Sequence, residues 1–412
     1  MKVYKFGGAS VKDAAGVRRL AEIVESEKSL IVVVSAMGKM TNAFERLLSK
    51  SNPQEQLLLI EQYHMNIISE LFEEGEINEE VVQGFQLLFF ELVERLEQFK
   101  EASYDFYYDQ IVSFGERFST FIIQSYLNAE NLEYQLLDAR KLIRTDSSHR
   151  EANVDWKETA QKVLERIKEG ERYVFQGFIA GNKEGLTTTL GREGSDYSAA
   201  ILAQILHVES LSIWKDVPGV LNADPRYFSE TNLLHEIPYG EAIEMAYYGA
   251  SVIHPKTLKP LENKMIPLCV KSFLNPESPG TIIGDFDQMQ PQVATYILKK
   301  NQSLIHISAK DFSFIVEHHI QEIFKKLSRY KLSVNLIQNS ALKFSIAVSD
   351  SFRTIEDFAQ DLQADFNVEL VKNLDLYTLR NFEEKDLVEL NHGKEIVLEH
   401  RNAQVYQIIV VN

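Results

Sequence analysis

One cysteine in 412 residues, Cys269, rules out an internal disulfide framework and fits a reducing cytoplasm. Long apolar runs are missing too: none reaches the roughly 18 residues that a membrane-spanning helix needs. At the start, Lys2 and Lys5 lead into glycines rather than into the apolar stretch of a secretion signal. The expectation is a cytoplasmic protein without a membrane partner. Positive charge is scarce: 43 basic residues face 60 acidic ones, for a net charge of −17. Such a surface repels nucleic acid, so none is expected as a partner. Metal-ligand spacing is lacking as well. His318-His319 has no Cys or His at ligand distance along the chain, and "HEIPYGEAIEM" is not a His-Glu-x-x-His helix, so no protein-held metal is expected.

What remains is ordinary globular composition, 45% apolar and 25% charged. The length predicts two or three domains. Strands are expected at Lys2–Phe6, Leu30–Ser35, Tyr134–Leu137, Tyr173–Phe178, Leu211–Trp214 and Ile266–Lys271. Near-continuous apolar runs such as "SLIVVVSAMG" suit strands buried on both faces of a parallel sheet. Helical periodicity lies between them, as in Val17, Leu20, Ala21 and Val24. The alternation predicts an α/β fold, a three-layer α-β-α sandwich with a mostly parallel central sheet. Residues 51–124 read as mostly helical. A Pro- and Gly-bearing boundary follows near 280–295. Beyond it a β-α-β-β-α-β order over about 75 residues predicts a ferredoxin-like α+β module. The last residues read as three further strands, "LDLYTLRNF", "KEIVLEH" and "AQVYQIIVV".

Four stretches carry candidate chemistry. In "KFGGAS", Gly7 and Gly8 let backbone amides approach an anion, and Lys5 adds a full charge. Ser10 and Asp13 read there as a capping-box-like start for a helix through Val24. A plain Gly-Gly strand-to-helix turn fits as well. In "TTTLGREGSDYSAA", Gly191 and Gly194 flank Arg192, and Ser195–Asp196 opens a helix; an arginine there can grip a carboxylate, or simply face solvent. In "IWKDVPGVLNADPR", Asp216 and Arg226 suit a ribose or a magnesium-bound phosphate, although Asp-Pro alone is only a turn signal. In "SFGERFSTFI", Glu116 sits near a helix start, where carboxylates also serve the helix dipole. Cys269 reads as a buried, inert thiol.

Taken in order, "KFGGAS", "VVVSAMGKMTN", "SFGERFS", "FQGFIAGNKEGLTTTLGREGSDYSAA", "DVPGVLNADPR" and "AIEMAYYGASVIHPKTL" resemble the aspartate kinase branch of the amino acid kinase family. The likeness covers residues 1 to about 285. The tail is similar to ACT modules through "KLSVNLIQNSALKFSIAV". The resemblance implies a catalytic domain at 1–285, an ACT-like regulatory domain at 300–372 and partial second ACT-like strands at 373–412. It also implies a reaction: ATP phosphorylates the side-chain carboxylate of L-aspartate to 4-phospho-L-aspartate, toward lysine, threonine and methionine. Lys5, Gly7, Gly8 and Asp196 would be catalytic. Thr41, Glu116, Arg192 and Ser195 would bind aspartate, with Glu116 on its ammonium and Arg192 on its α-carboxylate. Lys5, Ser10, Lys215, Asp216, Leu221, Arg226 and Ser251 would hold the nucleotide, with Mg²⁺ bound through its phosphates. A homodimer through the ACT-like domains and an amino-acid effector are further implied partners.

This chain also departs from the family. Ala9 stands for a threonine, Glu193 for a glycine and Ser251 for a lysine; Lys215 and Leu221 replace a threonine-like residue and an aromatic. In the tail, Asn335 and Ala341 stand where acidic residues are common. Glu193 and Ser251 alone favour the alternative, a catalytically weak, ligand-binding regulatory protein on the same fold. Kinases for glutamate or acetylglutamate share the first glycine loop but normally lack "SFGER" and the "GREGSD" arrangement.

Overall fold

The computed structural model describes residues 1–49, 53–73, 75–250, 253–311 and 313–411. These form two compact units. The first comprises Met1–Val220, Leu233–Ile243 and residues 253–290; the second comprises Leu221–Asn232, residues 244–250 and those from Pro291 onward. Among the described residues no helix is long and apolar enough to cross a membrane.

The first unit is built on an eight-stranded sheet. Its strands lie in the order Glu236–Pro238, Thr281–Gly284, Leu268–Ser272, Leu211–Lys215, Lys2–Phe6, Leu30–Val34, Arg172–Gln176, Gln135–Leu137. Among the described residues the pairings are parallel except Leu268–Ser272 against Thr281–Gly284. Every residue of Leu30–Val34 is buried. Side chains alternate between the two faces of a strand, so helices must cover both, giving the three-layer sandwich. The boundary expected near 280–295 begins with a strand of this sheet, since "TIIG" pairs with Leu268, Cys269 and Val270 through Ile283, Ile282 and Thr281.

Helices Pro53–Leu71, Glu76–Phe99, Tyr104–Val112 and Phe114–Ala129 make one side of the sandwich. They close around Phe118, which meets the rings of Phe85 at 5.0 Å and His64 at 5.2 Å. Arg117 grips Glu91 with both guanidinium nitrogens, at 2.9 and 2.5 Å, and so ties two of these helices together.

In the second unit six strands form one sheet, ordered Ser333–Asn339, Phe344–Ser349, Thr295–Ala309, Phe366–Arg380, Val405–Val411, Ile396–Arg401. The two 15-residue strands are each two strands joined at a kink. Their pairing slips around Gln302, and Asn301 and Asn373 adopt left-handed φ values of 55° and 59°. On one side of the kink lies the expected ferredoxin-like half, with helices Glu317–Arg329 and Ile355–Gln363. On the other, Leu374–Arg380 begins a second half that continues with a helix and two strands. The strand that completes it, Thr295–Lys299, comes from earlier in the chain.

The helix, Glu384–Asn391, corrects the reading of the tail as strands alone. Only Leu387 and Leu390 of "EKDLVELN" are buried, against Leu379, Tyr406, Ile408 and Val410, so its apolar stripe is too short to show a period.

Candidate active site

Lys5 stands at the carboxyl end of the strand where the sheet's connections diverge: Leu30–Val34 lies on one side and Leu211–Lys215 on the other. Open α/β sheets bind ligands at such a switch point. Lys5 is buried, and its Nζ lies 2.6 Å from Oδ1 of Asp196, in the first turn of the helix Gly194–Leu206. The other oxygen of Asp196 is 3.8 Å from Nζ of Lys215. Burial opposes ionisation of Asp196, but the two ammonium groups outweigh it and hold the carboxyl below its usual range.

After Lys5 the chain turns through Gly7 and Gly8. Among the described residues neither amide donates a backbone hydrogen bond. A Cβ on Gly8 would come within 2.5 Å of the Ala36 carbonyl oxygen, so only glycine lets this turn sit against the next strand end. A Cβ on Gly7 would lie 3.7 Å from Nζ of Lys5. Two free amides beside an ammonium make a nest suited to phosphate oxygens. The helix that follows starts later than the sequence suggests. It spans Ala14–Val24 with Asp13 as N-cap, whose side chain accepts from the Gly16 amide, whereas Ser10 is buried with its Oγ donating to the Trp214 carbonyl at 3.4 Å. The capping role given to Ser10 is thus corrected to Asp13, because the helix begins only at Ala14 and Ser10 lies too far ahead of it to reach its first amides.

Six expected residues meet around a cavity of about 440 Å³: Lys5, Thr41, Glu116, Arg192, Ser195 and Asp196. Glu116 is the telling one. It lies in the first turn of Phe114–Ala129 and is only 2% exposed. A Cβ on Gly115 would press to 2.8 Å of the Ala36 side chain, so glycine brings the helix close enough for Glu116 Oε1 to accept the Ala36 amide at 3.1 Å. Oε2 has no partner among the described residues. Burial pushes the Glu116 carboxyl up to about 8. A buried acceptor left open in this way is costly unless a donor arrives. Arg192 lies on the cavity wall, and among the described residues no carboxylate sits within ion-pair distance of it. Burial, then the charge of Asp196, raises the pKa of Glu193.

Other cavity members went unforeseen: Ser35, Tyr108, Arg150 and Phe178. Arg150, Phe178 and Glu193 all have left-handed φ values, 68°, 67° and 55°. Such strain gathers at functional sites, but no motif in the sequence announces it. Several nucleotide-side expectations lie outside the cavity. Asp216 is exposed just beyond Leu211–Lys215. Leu221 and Arg226 belong to the second unit, where the Arg226 guanidinium is paired with Asp224 on an exposed turn. Ser251 lies outside the described residues. Among those residues no group of three or more His, Cys, Asp or Glu is arranged to hold a metal ion.

Residues 1–272 match the model of the Amino acid kinase family. The chain is 33% identical over 396 residues to lysine-sensitive aspartokinase 3 of Escherichia coli (strain K12), covering 92% of this chain and 86% of that one. It also superposes on crystal structures of E. coli aspartokinase III, one in complex with aspartate and ADP (R-state) and one with lysine and aspartate (T-state). Each has a TM-score of 0.83 at 30% identity, covering 100% of this chain and 96% of the other. On that match and that identity, the chain belongs to the amino acid kinase family, in its aspartokinase branch.

Proposed function

We propose that this chain transfers the γ-phosphoryl group of ATP to the side-chain carboxylate of L-aspartate, giving ADP and 4-phospho-L-aspartate, the first step toward lysine, threonine and methionine. The observation that carries this reading is the open, buried Oε2 of Glu116 in a cavity that also presents Lys5 and Arg192.

A carboxylate is already nucleophilic near neutral pH, so the reaction needs no general base. Its obstacle is bringing an anion up to a polyanion. Glu116 takes the substrate ammonium and Arg192 the α-carboxylate, with Thr41 and Ser195 fixing the orientation. This turns the side-chain carboxylate toward Lys5. One of its oxygens attacks the γ-phosphorus while the bond to the β–γ bridging oxygen breaks, and ADP leaves with that electron pair. Lys5 and the Gly7 and Gly8 amides neutralise the phosphoryl oxygens as charge shifts among them, and Asp196 holds the Lys5 ammonium in place. The nest of free amides beside Lys5 fits a nucleotide that brings magnesium on its own phosphates; bound there, Mg²⁺ would supply further charge neutralisation, with Asp216, just past the end of the neighbouring strand Leu211–Lys215, the carboxylate that the family likeness offers it. Roles for Ser10, Lys215, Leu221, Arg226 and Ser251 in holding the nucleotide rest on the family likeness.

The single cysteine supports a cytoplasmic location. We assign catalysis to 1–285 and regulation to 300–372 and 373–412, with the ACT-like sheets pairing two copies into a homodimer. The lysine bound to the E. coli relative makes an amino acid the effector class to test. Asn335, however, is already engaged here: it donates to Gln302 and Ser349, and accepts from Lys299 Nζ at 2.7 Å. The weak regulatory alternative is not favoured, since Lys5, Arg192 and Asp196 are all in place.

An ADP-release assay with aspartate, glutamate, acetylglutamate or no acceptor tests the reading. Aspartate alone should stimulate release; equal rates across all four would overturn it.

A further inference from the structure

Arg150 has no part in the reaction as derived above, yet it lines the same cavity. It lies in the loop after Arg144, far in sequence from every glycine motif. Its guanidinium lies 4.5 Å from the centre of the Tyr108 ring, another cavity member, which fixes its plane by cation–π contact. Among the described residues its one ion pair, with Asp105 at 3.4 Å, joins two exposed side chains and is weak. Most of its five N–H donors are therefore left for another acceptor.

The backbone beneath Arg150 is held from the core. Asp109 is fully buried and accepts the Arg150 amide, at 3.2 and 3.1 Å to its two oxygens. It also accepts the Thr189 hydroxyl at 2.7 Å and amide at 3.2 Å, and contacts His149 Nδ1 at 2.9 Å. Asp109 thus binds the Arg150 loop to the strand Thr187–Thr189, just ahead of the Gly191–Arg192 turn. The two turns touch, because a Cβ on Gly191 would lie 3.3 Å from the Arg150 carbonyl oxygen. Arg150 and Arg192 consequently rise from adjoining segments on one wall.

Resting on the kinase reading, we infer that Arg150 is a second α-carboxylate-binding residue, sharing that group with Arg192, and that Asp109 is its positioning residue. The charges match. Aspartate brings one ammonium, for Glu116, and two carboxylates. The reacting one must stay free to face Lys5, so both guanidinium groups fall to the other. A substrate neutral at that end forfeits both charge-assisted contacts, which makes this wall a specificity device.

The test uses the full chain with two acceptors, L-aspartate and its α-amide, which keeps the side-chain carboxylate and the ammonium. A charge-assisted contact is worth about 1.5–3 kcal/mol. Arg150→Ala should therefore raise KM for aspartate about 10- to 100-fold. Its kcat should stay within about threefold and KM for ATP should not move, since the contact is equal in ground and transition states. The kcat/KM for the α-amide should be unchanged, and Arg150→Lys should restore part of the affinity. Asp109→Asn should raise KM for aspartate in the parent chain and add nothing in Arg150→Ala. An unaltered KM in a folded Arg150→Ala, or equal losses on aspartate and α-amide, would overturn the assignment while leaving the kinase reading intact. Calorimetric aspartate binding that depends on Arg150, without any ADP release, would instead overturn the kinase reading and support the assignment.

Discussion

The cavity treats its two central ionisable groups in opposite ways. Lys5 stays beside a carboxylate held ionised, whereas Glu116 is starved of charge partners until a cation enters. Replacing Lys5 by Met keeps the bulk and removes the ammonium that meets the phosphoryl group. We expect kcat to fall on the order of 10²- to 10³-fold, with KM for aspartate changed only a few-fold, in steady-state ADP-release kinetics. For Glu116 the sign follows from its raised pKa of about 8. Below that value the free enzyme holds the acid form, which cannot pair with an ammonium, so kcat/KM for aspartate should climb as pH rises from about 6.5 to about 8.5. Glu116→Gln should lose about tenfold to a hundredfold in kcat/KM and flatten that climb. Binding at neutral pH should also release a proton, readable by calorimetry in buffers of different ionisation enthalpy. Lys5, Glu116, Arg192 and Asp196 were legible because each is embedded in a local pattern of glycines or a helix start. Arg150, Tyr108 and Phe178 were not, because only folding brings these loop and helix residues to the cavity.

The helical flank shows what an element contributes beyond packing. His64 lies in Pro53–Leu71, fully buried beside Phe85 and Phe118, with its Nδ1 2.7 Å from the Ile60 carbonyl oxygen. Burial pushes its pKa down to about 4. The unfolded chain takes up this proton near the ordinary value of 6.5, the folded one only near 4. Stability is therefore complete above about 6.5 and declines as pH falls toward about 4, by up to about 3 kcal/mol. His64→Phe should flatten the acid limb of the denaturation midpoint across that window; an unchanged limb would place the acid sensitivity elsewhere. The helical character of 51–124 was readable from composition, but the burial of one histidine was not, since its neighbours in space come from Phe85 and Phe118. Short elements were the least legible. The short strand Thr281–Gly284 hid behind prolines and glycines, and Glu384–Asn391 behind charge.

At the scale of the whole molecule, the strand order of the first sheet explains why residues from 5 to 196 converge: connections depart in both directions from Lys2–Phe6 and return past its end. The alternation of strands and helices made that architecture predictable. The second sheet leaves Ser333–Asn339 as an outer strand, with Ile337 45% exposed. Unpaired edges of this kind invite pairing with another chain. Light scattering should give twice the chain mass, and Ile337→Pro, which removes a backbone donor from that edge, should give the single mass. The loan of Thr295–Lys299 to the later half of that sheet bears on anyone dividing this chain. A seam cut at 300, where the sequence invites it, would amputate a strand from a fold that ends at the far terminus. Residues 295–299 must travel with the final strands, or neither fragment inherits a finished sheet.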